Sequence, residues 1–435
     1  MRRKRMQTKY EKISIVVLLL LAVSLSALQG CAPASPPPEP TSPPAPEPTA
    51  TSAASEPTAE PTVPTAEPTA AGNEDLNQLL MKLFGRTEDL DPFVVEALSY
   101  AAEPYSQEEK DLAIKCFQED GCETGRGTMT VAFANGYTDN SWMQEVTMNW
   151  ILQALRYPEV KQLVITRARG DQAKALSDLR ALAVQQPDIV VSLQVVAEAA
   201  VPVYRDMIAA GTTVVGFNAP TGGEIGVDIS GEVLIPFAGA SIGEIIAEEL
   251  GGEGKVALIL GPAGFPPEVG CVDDMMAVLE QHPGIEVLPS VNTDWTQETV
   301  LQATASLLSR YPQIDAVYQS FGDSHRGAVR AYHQANRPLD GVTVHHNATN
   351  GYLGDWVQEN NPNWRLYATS GQQFGSRVTL HMAMELAKGN DPPTMLMMPF
   401  LFFKVKVDDY DPSLPESLNP YSAVPTDVIR EMFGE

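Results

Sequence analysis

Cysteine is scarce in this chain, with four among 435 residues, at positions 31, 116, 122 and 271. That excludes a disulfide-dense scaffold, and no second cysteine or histidine cluster lies close enough to complete a structural metal site. Histidine is almost as rare, at six residues. His282, His325, His333 and His381 show no ligand spacing, and His345 and His346 are strand neighbours that point to opposite faces, so no metal is expected. Nor is a cofactor expected. The stretch GGEGKV, ending at Val256, has the glycines and lysine of a phosphate loop, but valine follows the lysine and a strand follows the glycines instead of preceding them. Bases are also few, 29 against 55 acids for a net charge of −26. Such a chain is poorly suited to nucleic acid or to anionic lipid surfaces.

What is present begins with a basic stretch holding Arg2, Arg3, Lys4, Arg5, Lys9 and Lys12, and an apolar run from Ile13 to Leu28. This is the order of a secretory signal, residues 1–30, with a transmembrane anchor as the competing reading. The Leu28-Gln29-Gly30-Cys31 ending resembles a bacterial lipobox, which implies a membrane anchor through lipid on Cys31. Without residues 1–30 the charge becomes about −31. Between Ala32 and Gly72 stand thirteen prolines in forty-one residues and five Glu-Pro-Thr repeats, with Val63 as the one large aliphatic side chain. A segment of that kind, 31–72, cannot bury enough apolar surface to fold, and as a spacer it reaches up to ~125 Å.

About 360 residues follow, more than one hydrophobic core normally serves. Residues 73–126 read as short helices, with Leu76, Leu79, Leu80 and Leu83 on one face. Cys116 and Cys122, in CFQEDGC, can close a small disulfide loop, and Cys271 reads as a buried, inert thiol. After Gly127, short β-rich runs such as TMTVAFA, DIVVSL, KVALIL and DAVYQS alternate with helical segments of ten to sixteen residues. The spacing predicts an α/β protein with two doubly wound parallel-sheet lobes, switching near residue 232. Ligand chemistry is then expected at the carboxyl ends of the strands.

Several segments in order, TDNSWM, GDQAKALSDLRALAVQQPDIVVSL, GGEGKVALILGPAG, YPQIDAVYQS and LYATSGQQFGSRV, resemble the sugar-type periplasmic binding proteins of ABC importers, over about residues 127–407. The resemblance implies a type 1 fold with a three-crossing hinge near residues 232, 373 and 398. Lobe 1 would hold 127–232 with 373–397, lobe 2 would hold 233–372 with 398–407, and 408–435 would be a C-terminal extension. It further implies an extracytoplasmic, lipid-anchored monomer that delivers a sugar or polyol to an ABC transporter permease without catalysis. Asn140, Trp142, Asn218, Phe265, Trp295, Asp323, Asn347 and Gln372 stand at or just past predicted strand ends. Amides and carboxylates suit ring hydroxyls there, and aromatic faces suit the C–H side of a sugar.

Two departures bear on the ligand. The family's Asp-Arg pair reads Asn218-Ala219, and an arginine expected near Pro267 is absent from a region holding Glu268, Val269 and Cys271. Nucleosides and signalling furanoses are therefore alternative ligands, and sensing is an alternative to delivery. Each strand-end amide also has a plainer reading as a helix cap, and each tryptophan as a core residue. An enzyme reading rests on Gly239-Ala240-Ser241-Ile242-Gly243, which matches a nucleophile elbow. Phe237, Ile242, Ile245, Ile246 and Leu250 continue one helical face through Ser241, so the small residues are expected to serve close packing of a helix on the sheet.

Overall fold

A computed structural model describes residues 70–434 apart from Ala219, Pro236, Phe237, Gly264 and Phe400. The leader, Cys31 and the proline-rich spacer as far as residue 69 lie outside the described residues; residues 70–72, expected to belong to the unfolded spacer, instead begin the first helix.

Three helices come first: α1 (Ala70–Phe84), α2 (Pro92–Ala102) and α3 (Gln107–Gln118). Helix α3 starts on a capping box, in which Ser106 and Glu109 satisfy each other's backbone N–H groups. A short strand β1 (Gly121–Glu123) follows, and a disulfide joins Cys116 of α3 to Cys122 of β1. The alternating part then runs β2 (Met129–Asn135), α4 (Ser141–Ala154), β3 (Val160–Arg167), α5 (Gln172–Gln185), β4 (Ile189–Leu193), α6 (Ala197–Ala209), β5 (Thr213–Phe217) and β6 (Gly231–Leu234). Strand β4 is buried at every position, as a strand covered by helices on both faces must be.

The second series is α7 (Gly239–Leu250), β7 (Glu253–Leu260), α8 (Pro266–Leu279), β8 (Gly284–Val287), β9 (Val291–Asn292), α9 (Gln297–Arg310) and β10 (Ala316–Gln319). After a 3₁₀ turn at Gly322–His325 come α10 (Arg326–Gln334), β11 (Gly341–Val344), α11 (Asn350–Glu359) and β12 (Trp364–Thr369). The chain closes with α12 (Gly375–Ala387), β13 (Met395–Met397), β14 (Phe402–Lys404) and α13 (Thr426–Phe433).

Two sheets result, in the orders β1-β3-β2-β4-β5-β6-β13 and β14-β12-β11-β10-β7-β8, with β9 paired to β7. Their interiors are parallel, as expected. Two outer strands are not: β1 runs antiparallel to β3, and β14 antiparallel to β12. The first sheet also continues to Leu234, two residues past the expected switch, and α7 begins at Gly239. Helix α12 returns to the first lobe, where Phe374 meets Phe84 edge to face at 5.2 Å. The core of that lobe also takes in Leu80 and Leu83 of α1 and Leu418, Val424, Val428 and Ile429 of the C-terminal segment. Among the described residues no helix is long and apolar enough to cross a membrane.

Candidate functional site

The carboxyl ends of both sets of parallel strands face one cavity, which leaves about 80 Å³ for the centres of water-sized molecules. One water needs roughly 10–15 Å³ by that measure, so there is room for a small organic ligand. The first lobe contributes Tyr137, Asn140 and Trp142 after β2, and Asn218 after β5. The second contributes Phe265 at the start of α8, Trp295 before α9, Ser320 and Phe321 after β10, and His346 and Asn347 after β11. Ile235 and Gly371, on two of the chain crossings, complete the wall.

Tyr137, Phe265 and Trp295 form a chain of edge-to-face rings, at 5.5 and 5.4 Å between centroids, that runs from one lobe to the other. The Trp295 indole N–H donates to Ser320 Oγ at 2.8 Å, and the Trp142 indole N–H donates to the Gly371 carbonyl at 2.7 Å. Both tryptophans therefore have their one donor occupied and offer the cavity apolar faces. Asn140 caps α4 by accepting from the Met143 N–H at 3.0 Å, and Asn347 accepts from the Gly322 N–H at 3.0 Å. Their capping and wall positions coexist.

Asn218 is buried in the left-handed region at φ 68°, a conformation asparagine tolerates better than most residues, and its Oδ1 has no hydrogen-bond partner. The Tyr137 hydroxyl is likewise buried without a partner, and burial raises its pKa above the usual phenol range. Burial pushes the His346 imidazole down to about 3, so it is neutral at pH 7, with Nε2 at 2.8 Å from the Tyr318 hydroxyl. No residue on the wall carries a formal charge at neutral pH, although the chain as a whole carries −26.

Six of the eight residues expected from strand-end position thus line one cavity. Asp323 and Gln372 do not. Asp323 sits in the 3₁₀ turn and accepts from Thr349 Oγ1 at 3.0 Å, with its carboxyl pKa raised by burial. Gln372, at φ 54°, turns its amide to the Pro399 carbonyl and so ties one interlobe crossing to another. Tyr137, Ile235, Ser320, Phe321, His346 and Gly371 were missed. All six lie within two residues of a strand's carboxyl end, and that position, applied without preference for amides and tryptophan, would have found them.

Ser241 stands exposed in the first turn of α7, not on a strand-to-helix turn. The adjacent small residues serve helix-to-helix contact, a correction to the helix-on-sheet expectation: a methyl on Gly239 would lie 1.9 Å from the Cys271 carbonyl of α8. The Cys271 thiol itself is buried beside Tyr318, and burial pushes its pKa up to about 12. His345 and His346 diverge, the first toward the Gln319 carbonyl and the Tyr352 hydroxyl, the second toward Tyr318. Among the described residues no group of three His, Cys, Asp or Glu is arranged to hold a metal ion.

A family model described as periplasmic binding protein domain matches residues 131–391. The chain is similar to a xylitol-binding protein of Mycolicibacterium smegmatis, 26% identical over 242 residues, 54% of this chain and 66% of that protein. It therefore spans just under two thirds of that relative's length. Among solved structures it is similar to the periplasmic binding component of the arabinose ABC transporter from Shewanella sp. ANA-3, bound to α- and β-L-arabinofuranose. The TM-score is 0.58 at 16% identity, covering 63% of this chain and 91% of that one. A fructose-binding periplasmic domain of a hybrid two-component system aligns with a TM-score of 0.56 at 20% identity, covering 64% of this chain and 91% of that one. These structural likenesses show the fold.

Proposed function

We propose, from the premise that the chain belongs to the periplasmic binding protein domain family, that it captures a sugar or sugar-like polyol outside the cytoplasm and delivers it to the permease of an ABC importer. Ligand fills the cavity between the lobes and stabilises their closed arrangement, which the permease recognises. Lipid on Cys31 tethers the chain, and the proline-rich spacer holds the lobes away from the membrane. The protein acts as a monomer and performs no chemistry on its ligand.

The observation that carries this reading is the wall itself, in which aromatic faces from both lobes surround Asn140, Asn218 and Asn347. Aromatic rings cover the C–H face of a sugar while side-chain amides both donate to and accept from hydroxyls. Similarity to a xylitol-binding protein supports the polyol class.

The test is thermal unfolding of the purified protein against monosaccharides, polyols and nucleosides. A ligand at 100 times its dissociation constant adds ~2.7 kcal/mol. A rise with a sugar or polyol that disappears in Trp142→Ala is expected. A rise with nucleosides alone would remove the substrate class and keep the fold.

A further inference from the structure

One observation concerns the C-terminal segment. The Leu418 carbonyl accepts from the Asn350 N–H of the second lobe at 2.7 Å, and the Asn419 N–H donates to Glu145 of the first lobe at 3.0 Å. These are the two halves of one peptide group. Before it, the Glu416 carbonyl accepts from the Gly351 N–H and the Glu416 carboxylate pairs with Arg326 at 2.8 Å. After it, Lys82 donates to the Ser422 carbonyl at 2.7 Å and Lys110 pairs with Asp427 at 2.6 Å. The Asn419 side chain adds a bond to the Ser370 carbonyl at 3.2 Å, beside the crossing between β12 and α12.

The geometry points to a strap: this segment is a further interlobe connection with no slack at residues 418–419, and it limits how far the lobes open. Inserting four Gly/Ser residues between Leu418 and Asn419 keeps both docked halves and removes the tension-bearing link. Pulsed EPR distances between labels at the exposed positions Val184 and Gln281 of the ligand-free full chain report the lobe separation. The insertion is expected to lengthen and broaden the distribution. Glu416→Ala, an exposed change that weakens one anchor, is expected to do so less. Unchanged distances in both variants would overturn the proposal.

Discussion

Gly261→Ala puts a single methyl group against the Trp295 indole, which lines the cavity. A β-carbon on Gly261 would lie 2.1 to 2.3 Å from the Cε2, Cζ2 and Nε1 atoms of the Trp295 indole. The backbone cannot yield easily, because the Gly261 N–H donates to Glu268 and its carbonyl accepts from Asn292 Nδ2. The ring is held as well, by Ser320 at 2.8 Å, by Phe265 edge to face and by a left-handed backbone at φ 61°. Overpacking of this kind costs ~1–3 kcal/mol, and displacing the indole from Ser320 adds ~1 kcal/mol. A loss of about 2–4 kcal/mol in urea unfolding is therefore expected. A ligand that stacks on Trp295 should also bind up to about tenfold more weakly, from ~0.5–1.5 kcal/mol of ring contact. The decisive assay is the double-mutant cycle. In a Trp295→Ala background the methyl has space, so the same glycine change should cost under about 0.5 kcal/mol. Additive losses would refute the reasoning, because they would mean that the glycine is required by its own backbone and not by the indole.

Three further outcomes are expected. Burial pushes the His345 imidazole down to about 3, below its unfolded value of about 6.5, so its contribution is full above pH 6.5 and is lost as pH falls from there toward 3; the stability difference between wild type and His345→Gln should shrink by ~1.4 kcal/mol per unit over that window, measured by urea unfolding at pH 7, 6 and 5. The Cys116–Cys122 bridge spans a sequence separation of 6, for which loop closure is worth ~2 kcal/mol; the double serine variant should lose about that much stability under non-reducing conditions with ligand affinity unchanged. Ser241→Ala should leave stability within ~0.5 kcal/mol of wild type, whereas Gly239→Ala, which aims a methyl at the Cys271 carbonyl, should cost at least ~1–3 kcal/mol; calorimetric melting of the two variants separates packing from any role for the serine hydroxyl.

Much of the fold was legible because the governing signals are local. Runs such as IVVSL and VALIL can bury both faces only inside a covered parallel sheet, and elsewhere helix starts carry caps that can be named, Asp171 before α5 and Thr296 before α9. The edges were less legible. Strands β1 and β14 hold three residues each and pair antiparallel, and β9 holds two, too few for a period to register. The cavity was legible in outline, since a strand's carboxyl end is a sequence position. Direction was not: Asn347 and Asp323 both stand near such ends, yet only the first lines the cavity.

By itself, then, the sequence determined the alternation of strands and helices, the two lobes, and which loops would face a ligand, because apolar periodicity and turn chemistry act over a few residues. It also carried the expectations for Cys31 and the proline-rich spacer. Only the tertiary structure decided which side chains share the wall, because Tyr137 and Asn218, 81 positions apart in the chain, come to it together only after β2, β4 and β5 have paired. It alone turned Gln372 to the Pro399 carbonyl instead of the cavity. It alone threaded residues 418–419 between the lobes, since a peptide group bonded to Asn350 on one side and Glu145 on the other leaves no periodic trace in the residues that make it.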